Sequence, residues 1–137
     1  MPSRLVTTVL LVEDVPELRE WLRSLLAAQF PAFEFRTAGS APEVHLALGR
    51  ERPSLIILDE VLGPGEDLAS LLEMVNASGV PIALMTGMDP AHRNAARLPS
   101  FVTRRIEKPH WGTGEGAEAF VQAVSEVIAL TTRGQAR

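Results

Sequence analysis

Three short aliphatic runs constrain this chain more than anything else in it. They are VLLV (Val9 to Val12), LIIL (Leu55 to Leu58) and IALM (Ile82 to Met85). None alternates with polar residues and none is long enough for a helix, so each reads as a strand covered on both faces. FEFRTA (Phe33 to Ala38) alternates, and FVTRRI (Phe101 to Ile106) is a weaker run. Helical patterns lie between them. One face collects Leu18, Leu22, Leu25, Leu26 and Gln29; a second collects Val44, Ala47 and Leu48; a third collects Leu68, Leu71, Leu72 and Val75. Ala91 to Leu98 is a short polar helix candidate. Ala117 to Leu130 is the last helix, with Phe120, Val121, Val124, Val127 and Ile128 as its stripe. Ser40-Ala41-Pro42-Glu43 has a capping-box pattern, Asp14-Val15-Pro16-Glu17 a weaker one, and Gly79 and Pro81 stop the third helix.

Strand followed by helix, five times over, predicts an α/β protein with a parallel sheet and helices on both faces. Right-handed crossovers limit this to a doubly wound sheet, whose sites lie at the carboxyl ends of strands. The chain of 137 residues fits a single domain, 1–137, with a core from about 8 to 130 and a fraying, flexible tail over 131–137. It has no cysteine, so no thiol nucleophile, thiolate metal site or disulfide is available. The net charge of -4 argues against broad nucleic-acid binding. No apolar run approaches a membrane span, and Val9 to Val12 ends in Glu13-Asp14, unlike a signal peptide. These features predict a cytoplasmic protein.

The strand-end rule gathers particular residues at one edge. The first strand ends in Glu13-Asp14, the third in Asp59, the fourth in Thr86-Gly87 and the fifth in Lys108-Pro109. Singly, each has a plain reading: Asp14 as a helix cap, Asp59 as a strand stop, Thr86 as a turn residue, Lys108 as a solvated side chain. Together they are three carboxylates at close quarters, which repel unless one holds a proton or a divalent cation intervenes. Magnesium, with its preference for oxygen ligands, suits such a set.

VLLVED, LIILDE, ALMTG and EKP, in that order, make the chain similar to the response-regulator receiver domain from about Val9 to Leu130. The resemblance implies a flavodoxin-like (β/α)5 sheet of strand order 2-1-3-4-5. It implies Asp59 as phosphoacceptor, and Mg2+ held by Glu13, Asp14, Asp59 and the Val61 carbonyl. Thr86 and Lys108 would contact the phosphoryl group, and Pro109 would follow a peptide bond that is commonly cis. The donor would be a sensor histidine kinase or a histidine phosphotransfer protein. Such a protein is not an enzyme acting on a separate substrate. It is a switch that assists its own Mg-dependent phosphorylation and dephosphorylation. No output segment follows Leu130, so a downstream protein target is expected, with no nucleic-acid or membrane partner, and a monomer or weak dimer.

The match departs at Arg105, where the family usually has an aromatic three residues before the lysine. Phe101 and Trp111 are the nearest aromatics. The alternative function is therefore a receiver-like protein-binding module that does not switch. Arg93, Arg97, Arg104 and Arg105 form a basic cluster, read either as a partner face or as a solvated face that guards an edge strand. The segment from Asp59 to Thr86 is short for the family, so the third helix or its loops should be trimmed. Val61 and Met88 flank the site and predict a persistent phosphoryl group. His45, His92 and His110 lack metal-ligand spacing and read as structural or exposed. A phosphatase of the haloacid-dehalogenase type would need an acid two residues after the nucleophile, where this chain has Val61.

Overall fold

The computed structural model describes residues 7–63, 65–87 and 100–135, with 132–135 as backbone alone. Strand β1 (Thr7–Val12) leads to α1 (Pro16–Gln29), β2 (Phe33–Ala38) to α2 (Ala41–Arg50), and β3 (Leu55–Asp59) to α3 (Leu68–Ala77). Then come β4 (Ile82–Thr86), β5 (Val102–Glu107) and α4 (Ala117–Gln135). The helix candidate Ala91 to Leu98, with Met88, His92, Arg93 and Arg97, lies outside the described residues.

All pairings are parallel, and the order is β2-β1-β3-β4-β5. The three continuous aliphatic runs are the three central strands, because only central strands have both faces covered. Successive side chains point to opposite faces, which divides the core in two. Val9, Leu11, Leu55, Ile57, Ala83, Met85 and Ile106 pack against α1 and α4. Leu10, Val12, Ile56, Leu58, Ile82 and Leu84 pack against α2 and α3. The alternating FEFRTA and the charged VTRRIE are the two edges.

The helix ends partly follow the expected chemistry. Ser40 caps α2 by accepting from the Glu43 N–H, and Glu43 reaches back to the Gly39 N–H at 2.9 Å. Asp67 caps α3 by accepting from the Ala69 N–H. Asp14, in contrast, does not cap α1; the N-cap is Val15, with no side-chain bond, and Pro16 needs no amide acceptor. The last helix runs past Leu130 to Gln135, where the sequence reading placed a fraying tail. No proline interrupts it there, and the Thr131 hydroxyl bonds back to the Ile128 carbonyl at 3.0 Å.

Candidate functional site

Strands β1, β3 and β4 deliver Glu13, Asp59 and Thr86 to one edge of the sheet as buried polar residues, at 0%, 2% and 1% exposure. Burial follows from register. Val12 lies beside Leu58, and Asp59 beside Met85, so the acids continue strands that are already covered. The backbone ladder extends past the strands: the Glu13 N–H bonds the Ala38 carbonyl at 3.0 Å, the Glu60 N–H bonds Met85 at 2.9 Å, and the Lys108 N–H bonds Thr86 at 2.8 Å. Each functional side chain therefore grows from a fixed backbone.

Lys108 joins the acids. Its Nζ lies 2.7 Å from Asp59 Oδ2 and 3.2 Å from Glu13 Oε2. The other Asp59 oxygen, Oδ1, accepts the Val61 N–H at 3.1 Å. With its two oxygens held by different segments, the Asp59 carboxylate keeps one orientation. Carboxylate oxygens of Glu13, Asp14 and Asp59 come within 4.8 Å of one another. Asp14 is free of any capping duty, and a Cβ added at Gly63 would lie 3.3 Å from Asp14 Oδ2, so that glycine makes room for the carboxylate.

The cluster holds more acid than base, and it shows in its protonation. Burial pushes the Glu13 carboxyl up to about 8, with the hydrogen bond and charge of Asp59 adding to it and Lys108 only partly opposing. Burial acts to lower the Lys108 pKa, but the charges and hydrogen bonds of Asp59 and Glu13 outweigh it and leave it raised. Three carboxylates, at least one reluctant to ionise, form a hard-oxygen set that a divalent cation would relieve. The residues present fit magnesium.

Beside Lys108 lies an open pocket of about 250 Å3 lined by Leu18, Gly87, Lys108, Pro109, His110 and Trp111. A Cβ at Gly87 would meet no atom of the described residues within 4 Å, so the space beside it is open. The resemblance implied a cis Lys108–Pro109 bond; the bond is trans. No peptide bond among the described residues is cis, and trans is the ordinary preference even before proline. His110 and His45 are exposed; His110 Nδ1 accepts the Thr113 N–H within its own loop.

Of the four arginines of the basic cluster, the described residues include Arg104 and Arg105, and these two do not share a face. Arg104 pairs across the sheet with Ala83, and Arg105 with Leu84, so the two face opposite sides. Arg104 pairs with Glu126 of α4. Arg105 has a buried Nε with no hydrogen-bond partner among the described residues. Sequence reasoning passed over Arg19 and Gly39. The Arg19 Nη1 donates to the Glu13 carbonyl at 2.9 Å. An arginine six residues after an acid carries no signal that could have revealed this.

No protein-family model matches the chain. It is 31% identical over 104 residues to a probable transcriptional regulatory protein, TcrX, of Mycobacterium tuberculosis, a match covering 74% of this chain and 43% of that relative. The chain thus spans less than half the length of the curated relative it matches. Among solved structures it is similar to NtrX of Brucella abortus, with TM-score 0.78 and 19% identity, over 96% of this chain and 28% of that one. It is also similar to the signal receiver domain of a putative Luxo repressor protein of Vibrio parahaemolyticus, with TM-score 0.73 and 20% identity, over 96% of each chain. A third is the signal receiver domain of an HD domain-containing protein of Pseudomonas fluorescens, with TM-score 0.72 and 16% identity, over 94% of this chain and 99% of that one. By its strand order and by these likenesses, the chain has the fold of a response-regulator receiver domain.

Proposed function

We propose that the chain is a phospho-accepting receiver of two-component signalling, with Asp59 as the phosphoacceptor. The observation that carries this is the placement of Asp59: a buried carboxylate at the end of a central strand, held at Oδ1 by the Val61 N–H and at Oδ2 by Lys108, beside Glu13 and Asp14. A carboxylate so fixed is a poised nucleophile. One of its oxygens attacks the phosphorus of a phosphohistidine on a kinase or phosphotransfer protein. The P–N bond breaks, its electron pair returns to that imidazole nitrogen, and the donor leaves as a neutral imidazole whose proton sits on its other ring nitrogen.

The phosphoryl charge must be met by fixed positive groups and donors. Lys108 is already at the acceptor, and its raised pKa keeps it charged at neutral pH. Thr86, buried at the end of the adjacent strand, offers a hydroxyl. Glu13, Asp14, Asp59 and the Val61 carbonyl would hold magnesium. When bound there, it supplies positive charge beside the phosphoryl oxygens. Phosphorylation then shifts a two-state equilibrium that a protein partner reads.

The alternative is a receiver-like binding module that does not switch. Arg105, in place of the usual aromatic, favours it. Phosphorylation separates the two readings. Intact mass is measured after incubation with magnesium and a small-molecule phosphodonor, beside Asp59→Asn. One added phosphoryl group, absent from the variant, is the expected result. No addition by donor or by any phosphohistidine protein, with no magnesium binding, leaves the binding module.

A further inference from the structure

The Glu13–Asp14 pair sits in a loop that has no helix cap to steady it, because α1 begins at Pro16 behind an uncapped Val15. Two bonds hold the Glu13 backbone instead. Its N–H donates to the Ala38 carbonyl of β2 at 3.0 Å, and its carbonyl accepts from Arg19 Nη1 at 2.9 Å. The second bond fixes the plane of the peptide joining Glu13 to Asp14, and hence the direction in which both carboxylates leave the backbone. It is a charge-assisted bond from a half-buried arginine, stronger than a neutral one.

Gly39, just past β2, shows how Arg19 gets there. A Cβ built on Gly39 would lie 2.3 Å from Arg19 Nη1 and 3.3 Å from Cζ, but 3.7 Å from the Glu13 carbonyl oxygen, an ordinary contact. Only the guanidinium is in the way. Gly39 is not in the left-handed region, since positive φ among the described glycines is confined to Gly65, Gly79, Gly114 and Gly116. Backbone conformation therefore does not require glycine at 39; the room for Arg19 does.

We propose that Arg19 is a positioning residue for the acidic pair, and that Gly39 is its seat. The inference rests on the reading of Glu13, Asp14 and Asp59 as a cation site, and it acts through those residues without touching the cation. Groups that orient metal ligands typically change affinity by about 10- to 100-fold when removed.

The test is a double-mutant cycle on the full chain, read by calorimetric titration with Mg2+. Arg19→Ala should weaken binding about tenfold. Gly39→Ala should weaken it comparably, because the new methyl displaces the flexible guanidinium. The two together should be no worse than either, which is the mark of one shared interaction. Arg19→Lys should recover part of the loss, keeping a cationic donor but as a compact ammonium in place of the fork. The carbonyl 13C shift of Glu13 in metal-free protein should move in both single variants. If Arg19→Ala does not fold, Gly39→Ala and Arg19→Lys carry the comparison. Wild-type affinity in the variants, with wild type binding Mg2+, overturns the positioning role alone. Additive losses overturn the role of Gly39. Failure of wild type to bind Mg2+ overturns the cation reading and the positioning role with it, and the Glu13 shift then reports only on the loop.

Discussion

Two clusters of acids and bases among the described residues, one at the β2 edge and one at the carboxyl edge of the sheet, behave oppositely. At the β2 edge, Arg36 pairs with Glu34 at 2.9 Å and Glu51 at 2.8 Å, and Glu51 accepts the Thr8 hydroxyl at 2.9 Å. Arg36, Glu34 and Glu51 remain 41%, 47% and 45% exposed. Water does most of the solvation, and exposed ion pairs of this kind contribute little each. At the carboxyl edge, Glu13 and Asp59 are buried and share one lysine. There the compensation is incomplete, and Glu13 is driven to about 8, first by burial and then by Asp59. A fold does not need that second cluster for stability. Buried, under-compensated charge marks a place where stability is subordinated to chemistry.

The sharpest way to break the comparison is Asp59→Asn. Phosphoryl acceptance should fall from one group per chain to none, because an amide is no nucleophile here. The same change removes Asp59's hydrogen bond and charge from Glu13, so the Glu13 carboxyl should titrate lower. Carboxyl 13C titration in metal-free protein checks this; an unmoved Glu13 would mean that burial alone sets its protonation.

Next in size is Lys108→Met. It leaves Glu13 and Asp59 buried without their cation, a loss of about 3 kcal/mol at pH 7.5 by analogy with broken buried pairs. The loss should shrink at lower pH, where protons replace the lysine. Denaturant unfolding at two pH values reads both. An equal loss at both would show that the lysine stem, and not its charge, does the holding.

These contrasts explain what could be read before the structure was known. The aliphatic runs gave the central strands, since only a strand covered on both faces can dispense with polar residues. The strand-end rule gave Glu13, Asp14, Asp59, Thr86 and Lys108, since parallel strands send their carboxyl ends to one edge. Arg104 and Arg105 looked like one basic patch, but pleat alternation sends them to opposite faces, and the irregular register between β4 and β5 near Ile82 and Ala83 is not visible in residue types. Asp14 looked like a cap because its residue type suits one; Val15 holds that position. Arg19 was illegible for another reason. It acts on a backbone carbonyl, and no sequence pattern marks which carbonyl a long side chain will reach.

A third prediction follows from Glu13. Its folded pKa, about 8, lies above the ordinary value of 4.5. Between these values the folded state holds a proton that the unfolded state has released. Its contribution is fully present below about pH 4.5 and is lost as pH rises through 8. Metal-free stability should therefore fall across that window, by at most about 1.4 kcal/mol per pH unit from this group. Glu13→Gln should flatten the slope. Added magnesium should stabilise more at pH 8 than at pH 5.5, because the cation and the proton compete for one carboxylate. A flat profile in the metal-free wild type would mean that the carboxyl edge is better solvated than its burial indicates.

The smallest effect is expected at the other cluster, and its smallness is informative. Arg36→Ala breaks both ion pairs at the β2 edge, as many as Lys108→Met breaks at the carboxyl edge. Glu34 and Glu51 are left exposed, and water takes the place of the guanidinium. The unfolding midpoint should stay within measurement error in moderate salt, and magnesium affinity and phosphoryl acceptance should not change. The loss of the arginine stem over the edge strand is the only packing term, and Arg36→Met, which keeps an apolar stem there, isolates it. If Arg36→Ala were instead as damaging as Lys108→Met, the number of ion pairs and not their burial would govern. The under-compensated charge at Glu13 and Asp59 would then no longer distinguish a site from a surface.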